Sequence, residues 1–161
     1  METIIIDTRE KPKAISGILK FFESQNVKCI SSKLYVGDYQ LLDNPKLVID
    51  RKNGLGEVCS NIIQDHERFR NELIRANDVG IKVIILVATN DDKIKSLKDV
   101  PKWYNPRLRV NPKATKGVTL MKAMWTMEKK YGCQFVFCHK DKVGSTILKI
   151  LKKGGDINAK K

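Results

Sequence analysis

The run IKVIILVA, residues 81–88, constrains the fold more than any other stretch of the chain. It has strand length, and in a strand successive side chains point to opposite faces, so a nearly unbroken apolar run needs cover on both sides of a sheet. It is too short to span a membrane, and the opening METIIID lacks a signal-peptide layout. The flanking sequence offers the cover. ETIII reads as a short buried strand, followed by a helix in KPKAISGILKFFESQN, where Ile15, Ile18, Leu19 and Phe22 recur at helical spacing. VKCISSKL, LYVGDYQLL and KLVIDRK read as three strands, the last two joined through DNP, and suggest an antiparallel meander.

Residues 54–79 turn to helical periodicity with a break near Asp65. After the buried strand comes one long irregular stretch, NDDKIKSLKDVPKWYNPRLRVNPKATKGV, then a helix over about 117–131, a strand CQFVFC and a closing helix KVGSTILKILKK. The order β-α-β-β-β-α-β-α-β-α predicts an α/β class, a mixed sheet with helices on both faces. At 161 residues a single compact unit over 1–153 is expected, with 154–161 a basic flexible tail.

Thirty-one Lys and Arg against eighteen Asp and Glu give a net charge of +13, which favours a polyanionic partner, nucleic acid ahead of an anionic membrane surface. Cys29, Cys59, Cys133 and Cys138 form no CxxC pair and have no histidine at zinc spacing, so neither a disulfide framework nor a zinc site is expected. A soluble protein in a reducing intracellular setting fits, cytoplasmic if the source is bacterial or a virus of bacteria.

Residues 34–52, LYVGDYQLLDNPKLVIDRK, place an aspartate inside each of two apolar runs. If the turn centres on Asn44, partner numbers sum to 88 and Asp38 lies opposite Asp50. Carboxylates at cross-strand distance repel, and a cation relieves the conflict. Mg²⁺ takes carboxylate, carbonyl, water and phosphate oxygens, so the pair makes a half-shell for it. Alternation puts Val48, Asp50 and Lys52 on one face and Leu47, Ile49 and Arg51 on the other. Lys52 then stands where it can orient or help deprotonate an attacking water and offset charge on a phosphate, which is the logic of metal-assisted phosphodiester hydrolysis. The plain alternative is a solvated strand face, since D-x-K is common by chance.

IIIDTREK at 4–11, VGDY at 36–39 and VIDRK at 48–52, followed by QDHERFRNELIRA, resemble the nuclease domain of XPF-type structure-specific endonucleases, a branch of the PD-(D/E)XK nucleases. The resemblance runs from residue 4 to about 153 and implies a restriction-endonuclease-like sheet. It also implies a Mg²⁺-dependent site, with Mn²⁺ able to substitute, that cuts flaps, forks, junctions or other branched DNA in repair and recombination. The matching catalytic positions are Asp7, Asp38, Asp50, Arg51 and Lys52, with Asp7, Asp38 and Asp50 nearest the metal. Asp50 stands where the family has glutamate, and Gly56 where it has an aspartate, with Glu57 beside it as a substitute. Family members commonly carry a helix-hairpin-helix module behind this domain and work as dimers. This chain ends before such a module, so specificity is expected from the domain itself, a homodimer or a partner.

Each remaining candidate has two readings. Asp7-x-x-Glu10 is either a helix capping box or, by the resemblance, part of the site with Arg9. Arg51, on the opposite face from Asp50, is expected to pair with an acid behind the sheet. Arg68 and Arg70 contact phosphates or pair along their helix with Glu72. Lys102, Arg107, Arg109, Lys113 and Lys116, interleaved with Trp103 and Tyr104, suit DNA backbone neutralisation with base stacking; otherwise Trp103 anchors a solvated loop. His66 reads as a cap or surface residue, and Met121, Met124 and Met127 as core. The rival to a nuclease is a non-catalytic DNA-binding module on the same scaffold.

Overall fold

The structure, a computed structural model, describes residues 2–156. Six strands form one mixed sheet in the order β2-β1-β3-β4-β5-β6: β1 Thr3–Ile6, β2 Lys28–Ser31, β3 Tyr39–Leu41, β4 Asn44–Lys52, β5 Lys82–Thr89 and β6 Gln134–His139. Five α-helices cover it: α1 Ser16–Ser24, α2 Leu55–Cys59, α3 His66–Asp78, α4 Gly117–Tyr131 and α5 Val143–Lys152. The α/β class with helices on both faces holds.

β5 divides the core as its sequence requires. Val83, Ile85 and Val87 pack with α2, α3 and α4 through Val58, Phe69, Leu73, Leu120 and Met124. Ile84, Leu86 and Ala88 pack on the other face with α1 and α5 through Phe22, Ile147 and Leu151. Met121 and Met127 flank Met124 against the first of these clusters, as core packing anticipates.

The antiparallel meander is corrected. β2 is an exposed edge strand parallel to β1, while β1 runs antiparallel to β3 and β3 to β4. The cause is α1: a helical crossover returns the chain to the same edge of β1 in the same direction, which leaves the other edge of β1 for β3. Tyr35–Asp38 forms bends rather than a strand. The hairpin turn is Leu42–Asp43, not Asn44, because Leu41 already pairs with Asn44. A register shift between Leu41 and Tyr39 then brings Tyr39 opposite Ile49. The sum of 88 is thus restored by a bulge where it matters, and the sequence-derived partners of Asp38 and Asp50 stand on different turn chemistry from that expected.

α1 starts at Ser16, since residues 12–15 are turns closed by Ala14 and Ile15 N–H donating to the Lys11 carbonyl. The helical stretch after β4 breaks at Asp65 as expected, but its first part passes from α2 into a π-helical turn, Ser60–Gln64. The irregular stretch holds two 3₁₀ turns, Leu97–Lys102 and Pro106–Arg109. Of the expected flexible tail, Gly154 and Gly155 continue as turns off α5, with Gly155 N–H donating to the Ile150 carbonyl at 3.0 Å. Residues 157–161 lie outside the described chain. All four cysteines are free, and no helix among the described residues is long and apolar enough to cross a membrane.

Candidate active site

The site grows from the bends before β3. Gly37 has φ +79°, and a Cβ there would lie 2.9 Å from Val48 Cβ and Cγ2, so only glycine lets this segment press onto β4. Asp38 is fixed by its backbone on two sides: its carbonyl accepts from Asp7 N–H and its N–H donates to the Ile49 carbonyl, each at 2.8 Å. Its Oδ2 accepts the Arg51 N–H at 2.8 Å. Burial, the charge of Asp50 and a hydrogen bond shared with the Asp50 carboxyl push the Asp38 carboxyl up to about 9. The two aspartates therefore meet across the hairpin, and Asp38 keeps its proton at neutral pH, hydrogen-bonded to Asp50.

Asp50 is buried, and Lys52 Nζ stands 3.3 Å from its Oδ2, with both side chains nearly enclosed. The same ammonium lies 5.3 Å from the Phe69 ring centroid. Alternation along β4 put these two side chains together, and α3 supplies the ring that roofs them. Arg51 leaves from the other face and pairs with an acid, Glu10, with Nη2 at 2.9 Å and Nε at 3.0 Å from Oε2, but not behind the sheet as expected: both residues line the same cavity as Asp50 and Lys52. Tyr39 Oη donates to the same oxygen at 2.9 Å, and Arg51 Nη1 donates to Asn53 Oδ1 at 2.6 Å. Burial, then the Glu10 charge, pushes the Tyr39 phenol up, and the Glu10 charge and hydrogen bond hold Arg51 firmly protonated despite its burial.

These groups open onto a cavity of about 280 Å³. Glu10, Asp38 and Asp50 form one wall, Glu57 comes from α2, and Asp65, Arg68 and Glu72 come from the start and face of α3. Glu57 Oε2 accepts the Asn53 N–H at 3.0 Å, so the acid beside Gly56 faces the cavity while closing the turn into α2. Glu72 accepts the Gly37 N–H at 3.3 Å. Sequence reasoning passed over Glu72, Asp65 and Tyr39. The spacing of Asp65, Arg68, Phe69 and Glu72, i, i+3, i+4 and i+7, is a one-face signal that could have found the helical wall.

Asp7 stands apart. It caps neither α1 nor the cavity: it is fully buried, its Oδ1 accepts Leu34 N–H at 2.8 Å, and its Oδ2 accepts Arg9 N–H at 3.0 Å and Arg9 Nε at 2.6 Å. Burial would raise this carboxyl, but the hydrogen bonds from Arg9 and Leu34, with the guanidinium charge, hold it below the usual carboxylate value. No three His, Cys, Asp or Glu side chains among the described residues come close enough to hold a metal ion between them. A hard divalent ion nevertheless suits the Asp38–Asp50 pair, because two carboxylates that must otherwise share a proton are the donor chemistry such an ion takes.

Of the basic loop, Arg107, Arg109, Lys113, Lys116 and Tyr104 are exposed. Lys102 pairs with Asp99 at 3.1 Å, and Trp103 packs against the core as the loop's anchor. None of them lines the 280 Å³ cavity; Arg68 does.

Residues 6–151 match the ERCC4 domain family. Among solved structures, XPF from Aeropyrum pernix superposes with a TM-score of 0.65 at 20% identity, covering 96% of this chain and 66% of that one. The same protein in complex with DNA gives 0.66 at 20% identity, covering 96% and 65%. Protein Ycf2 of Angiopteris evecta is 27% identical over 106 residues, 62% of this chain and 4% of that protein. The chain thus spans less than two thirds of each of these relatives.

Proposed function

The chain belongs to the ERCC4 domain family, and on that premise we propose that it is an XPF-type nuclease domain, a Mg²⁺-dependent DNA endonuclease, Mn²⁺ substituting, acting on branched DNA. The observation that carries this reading is the Asp38–Asp50 pair beside Lys52 on the wall of an open cavity. Asp38 and Asp50 would hold the ion, with backbone, water and phosphate oxygens completing its shell. Bound there, the ion would polarise the scissile phosphate and lower the pKa of the attacking water.

The chain's own residues account for the rest. Lys52, held between Asp50 and the Phe69 ring, directs its ammonium to the attacking water and to the charge that gathers on the phosphate. Arg51 is a positioning residue: its N–H fixes the Asp38 carboxyl while its guanidinium is braced by Glu10, Tyr39 and Asn53. Asp7 also positions, through its N–H on the Asp38 carbonyl and its carboxylate on Arg9 at the cavity edge. This differs from the ligand role that the family resemblance implied for it. Arg68 and the exposed cations of the 102–116 loop contact the DNA backbone.

The test is a panel of forks, flaps, junctions, duplex and single strands with Mg²⁺ or Mn²⁺. Cleavage of at least one, lost in Asp50→Ala with binding retained, is the expected result. Binding without cleavage of any of them would favour the non-catalytic DNA-binding module instead.

A further inference from the structure

The segment after β4 has two faces. Glu57, Asn61 and Asp65 line the proposed catalytic cavity, whereas Gly56, Ser60, Ile63 and Gln64 line a second cleft of about 210 Å³ on an adjacent face of the same helical segment. The opposite wall of that cleft is the basic loop, through Arg107, Asn111 and Lys113. No acidic side chain lines it, in contrast to the catalytic cavity with its carboxylates on every wall.

Both walls are held in place. Asn105 is buried and ties the loop shut at its neck, its amide donating to the Thr115 carbonyl at 2.9 Å and its Oδ1 accepting the Arg107 N–H at 3.1 Å. Behind the neck Gly117 lies against the Val100 and Trp103 carbonyls, where a Cβ would come within 2.6 and 2.8 Å. The helical wall carries the π-helical turn, closed by Asp65 N–H donating to the Ser60 carbonyl at 3.0 Å, an inserted geometry that recurs at functional sites.

We propose that this cleft is a single-strand DNA subsite: Arg107 and Lys113 hold a phosphate, Ile63 meets the sugar or base, and the cleft fixes where the strand is cut. Its volume has room for one base or sugar and excludes a duplex. Its role in setting the cut rests on the nuclease reading above; its affinity for a strand is measured without cleavage.

The experiment compares three proteins in EDTA by fluorescence anisotropy with labelled oligo-dT: wild type, Arg107→Ala/Lys113→Ala, and Lys149→Ala/Lys152→Ala. The last removes equal charge from exposed positions of α5, on the opposite face of the sheet. The cleft variant is expected to bind roughly tenfold more weakly at moderate salt and to lose about 0.7 from the slope of log K against log salt, the value for one phosphate contact on a single strand. The α5 variant is expected to stay near wild type. Equal losses in both variants, or a cleft variant within twofold of wild type, overturn the subsite in favour of diffuse charge. Mapping incisions on a fork then tests the register: a narrow cluster of cuts in wild type that spreads in the cleft variant supports it, and an unchanged cluster refutes it. A wild type that cuts nothing, alongside a cleft variant that loses binding, removes the nuclease reading and leaves the strand site standing.

Discussion

Asp38→Asn tests the carboxyl pair directly. An acid raised from 3.8 to about 9 binds its proton in the folded state while the unfolded chain has released it, so metal-free stability falls as pH rises across that window. Each pH unit is worth at most about 1.4 kcal/mol, which would reach about 4 kcal/mol by neutral pH. Water at the cavity wall relaxes part of it, leaving about 2–4 kcal/mol. An asparagine keeps an oxygen for the Arg51 N–H and presents an N–H to Asp50, so it mimics the protonated pair without titrating.

In EDTA the variant is therefore expected to unfold about 5–15 °C above wild type at pH 8 and within a few degrees of it at pH 4. Saturating Mg²⁺ should reverse the order. At one hundred times its Kd the ion stabilises wild type by about 2.7 kcal/mol, while the variant, missing one carboxylate, gains little. Thermal melts at several pH values, with and without Mg²⁺, read both effects. A wild type whose melting temperature does not change between pH 5 and 8, or a variant no more stable than it in EDTA, would show that the two aspartates do not share a proton, and the metal argument would lose its basis.

Asp7 works in the opposite sense. Its carboxyl is held below 3.8, so its contribution is fully present above that pH and fades as pH falls through its folded value. Asp7→Asn should cost about 2 kcal/mol at pH 7, and the gap to wild type should narrow in urea titrations at pH 3. Gly37→Ala should lose about 3 kcal/mol, because a positive φ and the 2.9 Å approach to Val48 act together, and incision should fall with it as Asp38 shifts. A chemical denaturation midpoint equal to wild type would refute that account. Lys52→Met keeps the packing on Phe69 and removes the ammonium; cleavage should drop at least a hundredfold with DNA affinity changed less than threefold, and an equal loss of both would move Lys52 from chemistry to binding.

Much of this protein is legible in its residues alone. An apolar run at 81–88 demanded a two-sided sheet, and Val83 to Ala88 alternate between two cores. Period-two alternation on β4 assigned Asp50 and Lys52 to one face and Arg51 to the other, because side-chain direction in a strand is a local property. What the sequence could not hold was the pairing of distant segments. β2 turned to β1 rather than to the hairpin, since the crossover helix decides the edge. The register of Asp38 came from a bulge that no residue count reveals. Asp7 shares the family motif with Asp38 and Asp50, yet the bends around Leu34 bring a backbone N–H to its carboxylate and enclose it. Glu10 found Tyr39 across 29 residues and Arg51 across 41, and α3 laid Phe69 over Lys52. Local chemistry chose the residues of the site. Only the packing of the sheet against its helices decided which carboxylates meet and which are spent on holding the chain, because a carboxyl's behaviour depends on burial and charged neighbours far away in sequence.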